Sequence, residues 1–240
     1  MSDTGQPGQS QHEDDKRRIS AENRWPAIAA LVVALVMYAT LPSAFPIVLR
    51  AVVVGLCVAL TVPVVIVSPR RLNRQTSWSR ALSIIGSVVL LVANQIALVI
   101  LIGVLVHRSK SSGPADLVAA LQVWGTNIIA FGTLFWELDR GGPVSRRTEP
   151  RRNLPVADFR FPQDEDDDAV VEVATRSSVR ADWMPGFVDY LYLSITNSMA
   201  YSPTDVMPLS PRSKLLMGLQ EIAAFIIVAL VIARAVSLLG

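Results

Sequence analysis

Apolar residues are gathered along this chain into long runs separated by short polar stretches. A hydrocarbon core of roughly 30 Å takes about 20 apolar residues in a helix. Four early runs qualify: residues 25–41, 45–67, 81–106 and 117–138. Trp25 is an interfacial residue, and Pro26 near N1 costs the first helix nothing, because its missing N–H would be unsatisfied there anyway. Only Pro42, Ser43 and Ala44 separate the first two runs, which predicts a tight hairpin. Gly141, Gly142 and Pro143 stop the fourth. A fifth run, 215–239, closes the chain, with Ser210 as N-cap and Pro211 at N1. The pattern predicts an all-α, polytopic transmembrane bundle of five spans, plus one short apolar segment, 187–201, that at about 22 Å is too short to cross.

The polar stretches divide the chain. Residues 1–24 read as a disordered cytoplasmic tail, 25–138 as a four-helix transmembrane region, 139–186 as a polar cytoplasmic loop, and 187–240 as the short segment with the final helix. Within the loop, residues 169–175 read as a small strand, and the acidic run Asp164, Glu165, Asp166, Asp167 and Asp168 reads as solvated, because it lacks the glycine and ligand spacing of a cation loop.

Composition supports this division. Of the 240 residues, 51% are apolar and only 18% charged, against about a quarter in soluble domains. A soluble enzyme, a nucleic-acid-binding domain and a disulfide-stapled module are excluded, and the lipid bilayer is the expected partner. The single cysteine, Cys57, lies within an apolar run as a packing residue.

Charge sets the orientation, because basic residues near membrane ends favour the cytoplasm. With the N-terminus inside, that face collects Lys16, Arg17, Arg18 and Arg24, then Arg70, Arg71, Arg74 and Arg80, then Arg140, Arg146, Arg147, Arg151 and Arg152. The outer face collects Arg108 and Lys110. A multi-pass plasma-membrane protein with a cytoplasmic N-terminus is the expectation.

Polar residues inside the runs are the candidate functional groups. Asn94, Gln95, Gln122, Thr126 and Asn127 read as hydrogen-bonding links between helices, and Arg50 as snorkelling to the outer interface. Glu137 and Asp139 fall at a helix end and read as unremarkable there. Glu221 is the acid set well inside a long span, with Arg50 or Arg234 as its expected partner. No paired His, Asp or Cys cluster, nucleophile elbow or phosphate loop is present in the sequence, so no catalytic residue, metal or cofactor is expected.

The short segment interleaves Tyr190, Tyr192, Ser194, Thr196, Asn197 and Ser198 with Val188, Leu191, Leu193, Ile195 and Met199, then continues into Ser202, Pro203, Thr204 and Asp205. From here through the last helix the chain distantly resembles the pore region of potassium channels, with Ser198-Met199-Ala200-Tyr201-Ser202 in the place of the filter. Ala200 and Ser202 stand where that family has its filter glycines, so potassium selectivity is not implied. The resemblance implies a re-entrant pore loop with Ser198, Tyr201, Ser202 and Asp205 at its mouth, Glu221 as a deeper ring, and a homo-oligomer of up to four chains around an axis. A second resemblance covers the last half of the chain, through the stretches Phe135-Trp136-Glu137-Leu138-Asp139, Phe159-Arg160-Phe161-Pro162-Gln163 and Asp189-Tyr190-Leu191-Tyr192. These are similar to a family of uncharacterised, mainly actinobacterial integral membrane proteins, which implies the architecture and the plasma membrane but no activity. A non-conducting scaffold or accessory subunit with a cytoplasmic docking loop is the competing expectation.

Overall fold

A computed structural model describes residues 22–67, 77–107, 113–165, 170–199 and 205–239. The 1–21 part of the predicted tail, Arg70, Arg71, Arg74, Arg108, Lys110, Asp166, Asp167, Asp168, Tyr201 and Ser202 lie outside the described residues.

The architecture is all-α, with the apolar runs forming α1 (Trp25–Ala39), α2 (Ile47–Val67), α3 (Ser77–His107), α4 (Gly113–Leu138) and, last in the chain, α9 (Pro211–Leu239). Four of these, α2, α3, α4 and α9, are long and apolar enough to cross a membrane; α1 is apolar but has 15 residues. The short helices α5 (Ser145–Thr148), α6 (Val171–Ala174) and α7 (Ser178–Ala181) lie in the polar stretch, and α8 (Phe187–Ser198) is the short apolar segment. Residues 171–174, predicted as part of a strand, are helical instead. The strands are two others, β1 (Phe159–Arg160) and β2 (Met207–Pro208), paired antiparallel with Phe159 opposite Pro208.

Local chemistry accounts for the helix boundaries. Ser210 and Ser213 cap α9 reciprocally, the N–H of each donating at 3.2 Å to the other's hydroxyl. At the end of α1, Arg50 donates to the carbonyls of Ala39, at 3.2 Å, and Leu41, so it closes a helix terminus of its own chain. The fourth helix ends with Arg140, Gly141 and Gly142 all at positive φ, at 50°, 81° and 95°. A Cβ at Gly141 would come within 3.1 Å of Pro155, so only glycine fits that close turn.

Helix α4 is the centre of the molecule. From Thr126 to Glu137 all but one of its residues are buried, which is the state of a helix packed on all sides. Around it stand α1, α3, α8 and α9, with α2 outside α3. Asn94 and Gln95 of α3 both donate to the Asn127 side-chain carbonyl of α4, at 3.0 and 3.1 Å. The outward faces are apolar and exposed, as at Ile47, Val48, Ile66, Val99 and Leu215, which suits contact with lipid. At one end of the bundle the 139–165 and 170–186 stretches fold into a polar layer over the helix ends.

The course of the chain from α8 to α9 is distinctive. Phe187 starts beside Trp136 in that layer, with ring centroids 5.6 Å apart, and Ser194, two turns on, donates to Ile128 of α4 at 2.7 Å. By Leu209 the chain is back in the layer, its N–H donating to Asp158 at 2.8 Å. It therefore enters and leaves at the same end of the bundle, before α9 runs to the far end, where Arg234 meets Asp116 at 3.0 Å.

Candidate functional site

The end of α4 exposes carbonyls that have no partner within the helix, and the chain supplies one residue that takes two of them. Arg146, on α5 and 1% exposed, donates to the carbonyls of Trp136, at 2.9 Å, and Asp139, at 3.2 Å. Its guanidinium lies 4.8 Å from the centre of the Tyr190 ring, and Glu22 is 3.8 Å away. A cation at a helix C-terminus is also favoured by the helix dipole.

Around Arg146 is a buried hub drawn from five parts of the chain. Asp139, 0% exposed, accepts from the Tyr190 hydroxyl at 2.5 Å and from the Asp158 N–H at 2.7 Å. Arg140, in its left-handed conformation, bridges Asp139 at 3.5 Å and Asp164 at 2.5 Å and donates to the Phe159 carbonyl. Asp158 is held by Arg212 and by the Ser210 hydroxyl of the α9 cap, so the layer is tied to both sides of α9's first turn. Glu22 accepts from the Trp136 indole at 3.1 Å and from the Phe187 N–H at 2.5 Å, fixing the start of α8. Tilted and edge-on rings fill the remaining space: Phe135 against Phe159, and Phe161 against both Trp183 and Tyr190.

Electrostatically the hub is balanced, with carboxylates of Glu22, Asp139, Asp158 and Asp164 among guanidiniums of Arg140, Arg146, Arg147 and Arg212. Burial pushes the Asp164 carboxyl up, but the Arg140 hydrogen bond and charge, with help from Ser178 and the Phe161 N–H, outweigh it and hold Asp164 below the usual aspartate range. Burial lowers the Arg147 guanidinium, whose side chain donates to the Met184 carbonyl at 2.9 Å. Chemically this arrangement holds a loop in place. Among the described residues no group of three or more His, Cys, Asp or Glu is set to hold a metal ion.

A second polar seam joins α8 to α9. Gln220, 0% exposed, donates to the Ser194 carbonyl and hydroxyl and to the Ser198 hydroxyl at 2.9, 2.6 and 2.7 Å. It accepts from Asn197 at 3.0 Å, and Asn197 also donates to the Met217 carbonyl. Gly132 lets α4 approach the same helix: a Cβ there would sit 3.2 Å from Leu191 Cα.

The residues singled out as pore-lining are distributed differently. Ser198 is fully buried within the seam, Asp205 is exposed just before β2, and Glu221 is exposed, one residue and about 100° around α9 from the buried Gln220. The expected partners of Glu221 are engaged elsewhere, Arg234 by Asp116 and Arg50 by the end of α1. Glu137 and Asp139, read as unremarkable helix-end acids, are instead 1% and 0% exposed and paired within the protein. The reason is that the polar stretch folds back over the helix end rather than leaving it in water. Sequence reasoning also missed Asp116, Arg146 and Gln220. A usable signal was there: two acids crowded onto a helix C-terminus are unfavourable unless nearby arginines offset them, and Arg140, Arg146 and Arg147 follow at once.

By the length and hydropathy of four of its helices the molecule is of the multi-span, all-α membrane class, and these contacts give it a folded polar layer at one end. No family model, curated protein or solved structure matches the chain. The three stretches Phe135 to Asp139, Phe159 to Gln163 and Asp189 to Tyr192 meet at the hub, through Phe135, Asp139, Phe159, Phe161 and Tyr190.

Proposed function

We propose that this chain is a plasma-membrane protein that works as a non-conducting, non-enzymatic scaffold or accessory subunit. In this reading the N-terminus and the 139–186 layer are cytoplasmic, α1 completes five spans, and α8 is a re-entrant half-helix that packs rather than conducts. The observation that carries it is the seam: Ser194, Asn197 and Ser198 of α8 are all engaged by α4 or α9 and are buried. A hydroxyl meant to line a path faces a wet lumen, whereas these are satisfied inside the protein. The surface left for a partner is the polar layer, which carries exposed Val156, Val170, Val171 and Val179 on a base held rigid by the hub.

The test is reconstitution of the purified protein in liposomes under imposed voltage and ion gradients. Flux no greater than that of empty vesicles is expected. A second reading, a pore-loop protein of several chains, is favoured by one feature: the segment after Phe187 returns at Leu209 to the layer it left. Ion flux that falls in Asp205→Asn or Glu221→Gln would replace the first reading with this one, with Ser198, Tyr201, Ser202, Asp205 and Glu221 as its pore-lining residues.

A further inference from the structure

The turn between α1 and α2 stops short of the far end of the bundle. Thr40, just past α1, accepts from the Gln122 side-chain amide of α4 at 2.9 Å, and Met37 lies against Gly125, where a Cβ would meet the Met37 sulfur at 3.1 Å. The two helices are therefore antiparallel, with residue 40 level with residue 122. Helix α4 reaches six positions further toward the far end before Asp116 meets Arg234 of α9 at 3.0 Å, a distance along the helix of about 9 Å at 1.5 Å per residue. Measured from the layer end, the stretch from the exposed Trp25 to Thr40 covers about 22 Å of a hydrocarbon core of roughly 30 Å.

The neighbouring helices carry apolar faces beyond that level. Val118 and Leu121 of α4 are exposed, and so are Val106 of α3 and Ile232 and Val236 of α9, all further from the layer than Thr40. Lipid chains suit those faces. The turn is of the opposite character. Residues 41–46 are irregular backbone, Thr40 and Ser43 are exposed, and Arg50 places its guanidinium on the carbonyls of Ala39 and Leu41 with no ion pair among the described residues. Irregular backbone at membrane depth is tolerated only against protein or water, and an arginine there is accommodated by thinning of the bilayer and entry of water. A bilayer thin all round would put the apolar faces of α3, α4 and α9 in water. An apolar helix of another chain laid over the turn would bury the charge and the Ser43 hydroxyl without supplying a polar partner. A boundary that comes down at this one place meets both requirements.

We propose that the far lipid–water boundary dips locally to the α1–α2 turn, so that water and phospholipid head groups of that leaflet reach Thr40 and Ser43 about 9 Å below the level at which they meet α4. The partner is the lipid surface itself, and the hairpin is a shortened pair of helices that holds a fixed dimple in it. Nothing in this depends on whether the protein conducts.

Spin labelling of the full-length protein in phosphatidylcholine and phosphatidylglycerol liposomes tests the dip. In a Cys57→Ala background the label is placed at Ser43→Cys in the turn, at Leu121→Cys at nearly the same height on α4, or at Glu149→Cys in the polar layer, all three being exposed positions. Collision of each nitroxide with a water-soluble nickel chelate, present on both sides of the membrane, is compared with its collision with oxygen, which concentrates in lipid. Ser43→Cys is expected to meet the chelate at least about fivefold more often than Leu121→Cys and within about twofold of Glu149→Cys. Chelate access at Ser43→Cys as low as at Leu121→Cys overturns the proposal, because the turn is then dry. Access at Leu121→Cys as high as at Ser43→Cys overturns it as well, since the boundary is then low all round. So does a Ser43→Cys label shut off from both chelate and oxygen, which would mean that protein covers the turn.

Discussion

Arg146 does what no other side chain could do at its position. Its planar fork offers five donors in fixed directions, and it meets two helix-end carbonyls, an aromatic face and a carboxylate while almost wholly buried. Removing one partner of such a set leaves the others buried and uncompensated. Arg146→Ala is therefore expected to destabilise the protein by about 3–5 kcal/mol in denaturant titrations in detergent, and Arg146→Lys to recover less than half of that. Asp164 supplies a pH dependence of known sign. Its folded carboxyl is held below the usual aspartate range, so its contribution is fully present above the unfolded aspartate value and is lost as the pH falls through the folded one. Hydrogen exchange across residues 159–165 and 170–183 should accelerate as the pH drops below about 4, after correction for intrinsic exchange. Asp164→Asn should show raised exchange at neutral pH and a flatter acid response, and an unchanged acid response would show that another group controls the layer.

Helices α8 and α9 make the same point at the level of elements, through two adjacent residues of contrasting fate. Gln220 is buried and joined to Ser194, Asn197 and Ser198, while Glu221 is exposed on the next helical position. Gln220→Leu leaves several buried polar groups without partners and is expected to cost about 1–3 kcal/mol, whereas Glu221→Leu should be near neutral. Gly132→Val should loosen the same packing by pushing α8 away from α4, since the new side chain would begin 3.2 Å from Leu191 Cα. Thermal denaturation in one detergent reads all three, and a Glu221→Leu loss equal to that of Gln220→Leu would remove the distinction. Four of the five runs were legible as long helices, with their stops, because run length, Ser210 and the Gly141-Gly142-Pro143 break are local signals; the first run gives a helix of 15 residues. Which side of α9 carries meaning was not, since Gln220 and Glu221 look alike to any window and only the position of α8 tells them apart. The hub was less legible still: Tyr190 lies 51 positions from Asp139, and Glu22 lies 114 from Trp136.

For the whole molecule, the layer makes orientation and re-entry two separate questions that one measurement can answer. Arg140 and Arg146 are buried in the folded protein, and Arg24 is as well. They still count toward orientation, because the positive-inside bias acts on the chain as it inserts, before the layer folds. Cys57 is buried and is replaced by Ala to give a background free of thiols. Single cysteines are then introduced at two exposed positions, Glu149→Cys in the layer and Asp205→Cys where the chain comes back from α8. Both should react with a membrane-impermeant maleimide only after the cytoplasmic face is opened. Because Leu209 is bonded to Asp158 within the layer, the two positions should share a side whichever way the protein is inserted. Reaction of both from outside would invert the arginine-based orientation and leave the proposed re-entrant path intact. Reaction of Asp205→Cys alone from outside would do the reverse, turning 187–199 into a further crossing and removing the structural basis for a half-helix of either function.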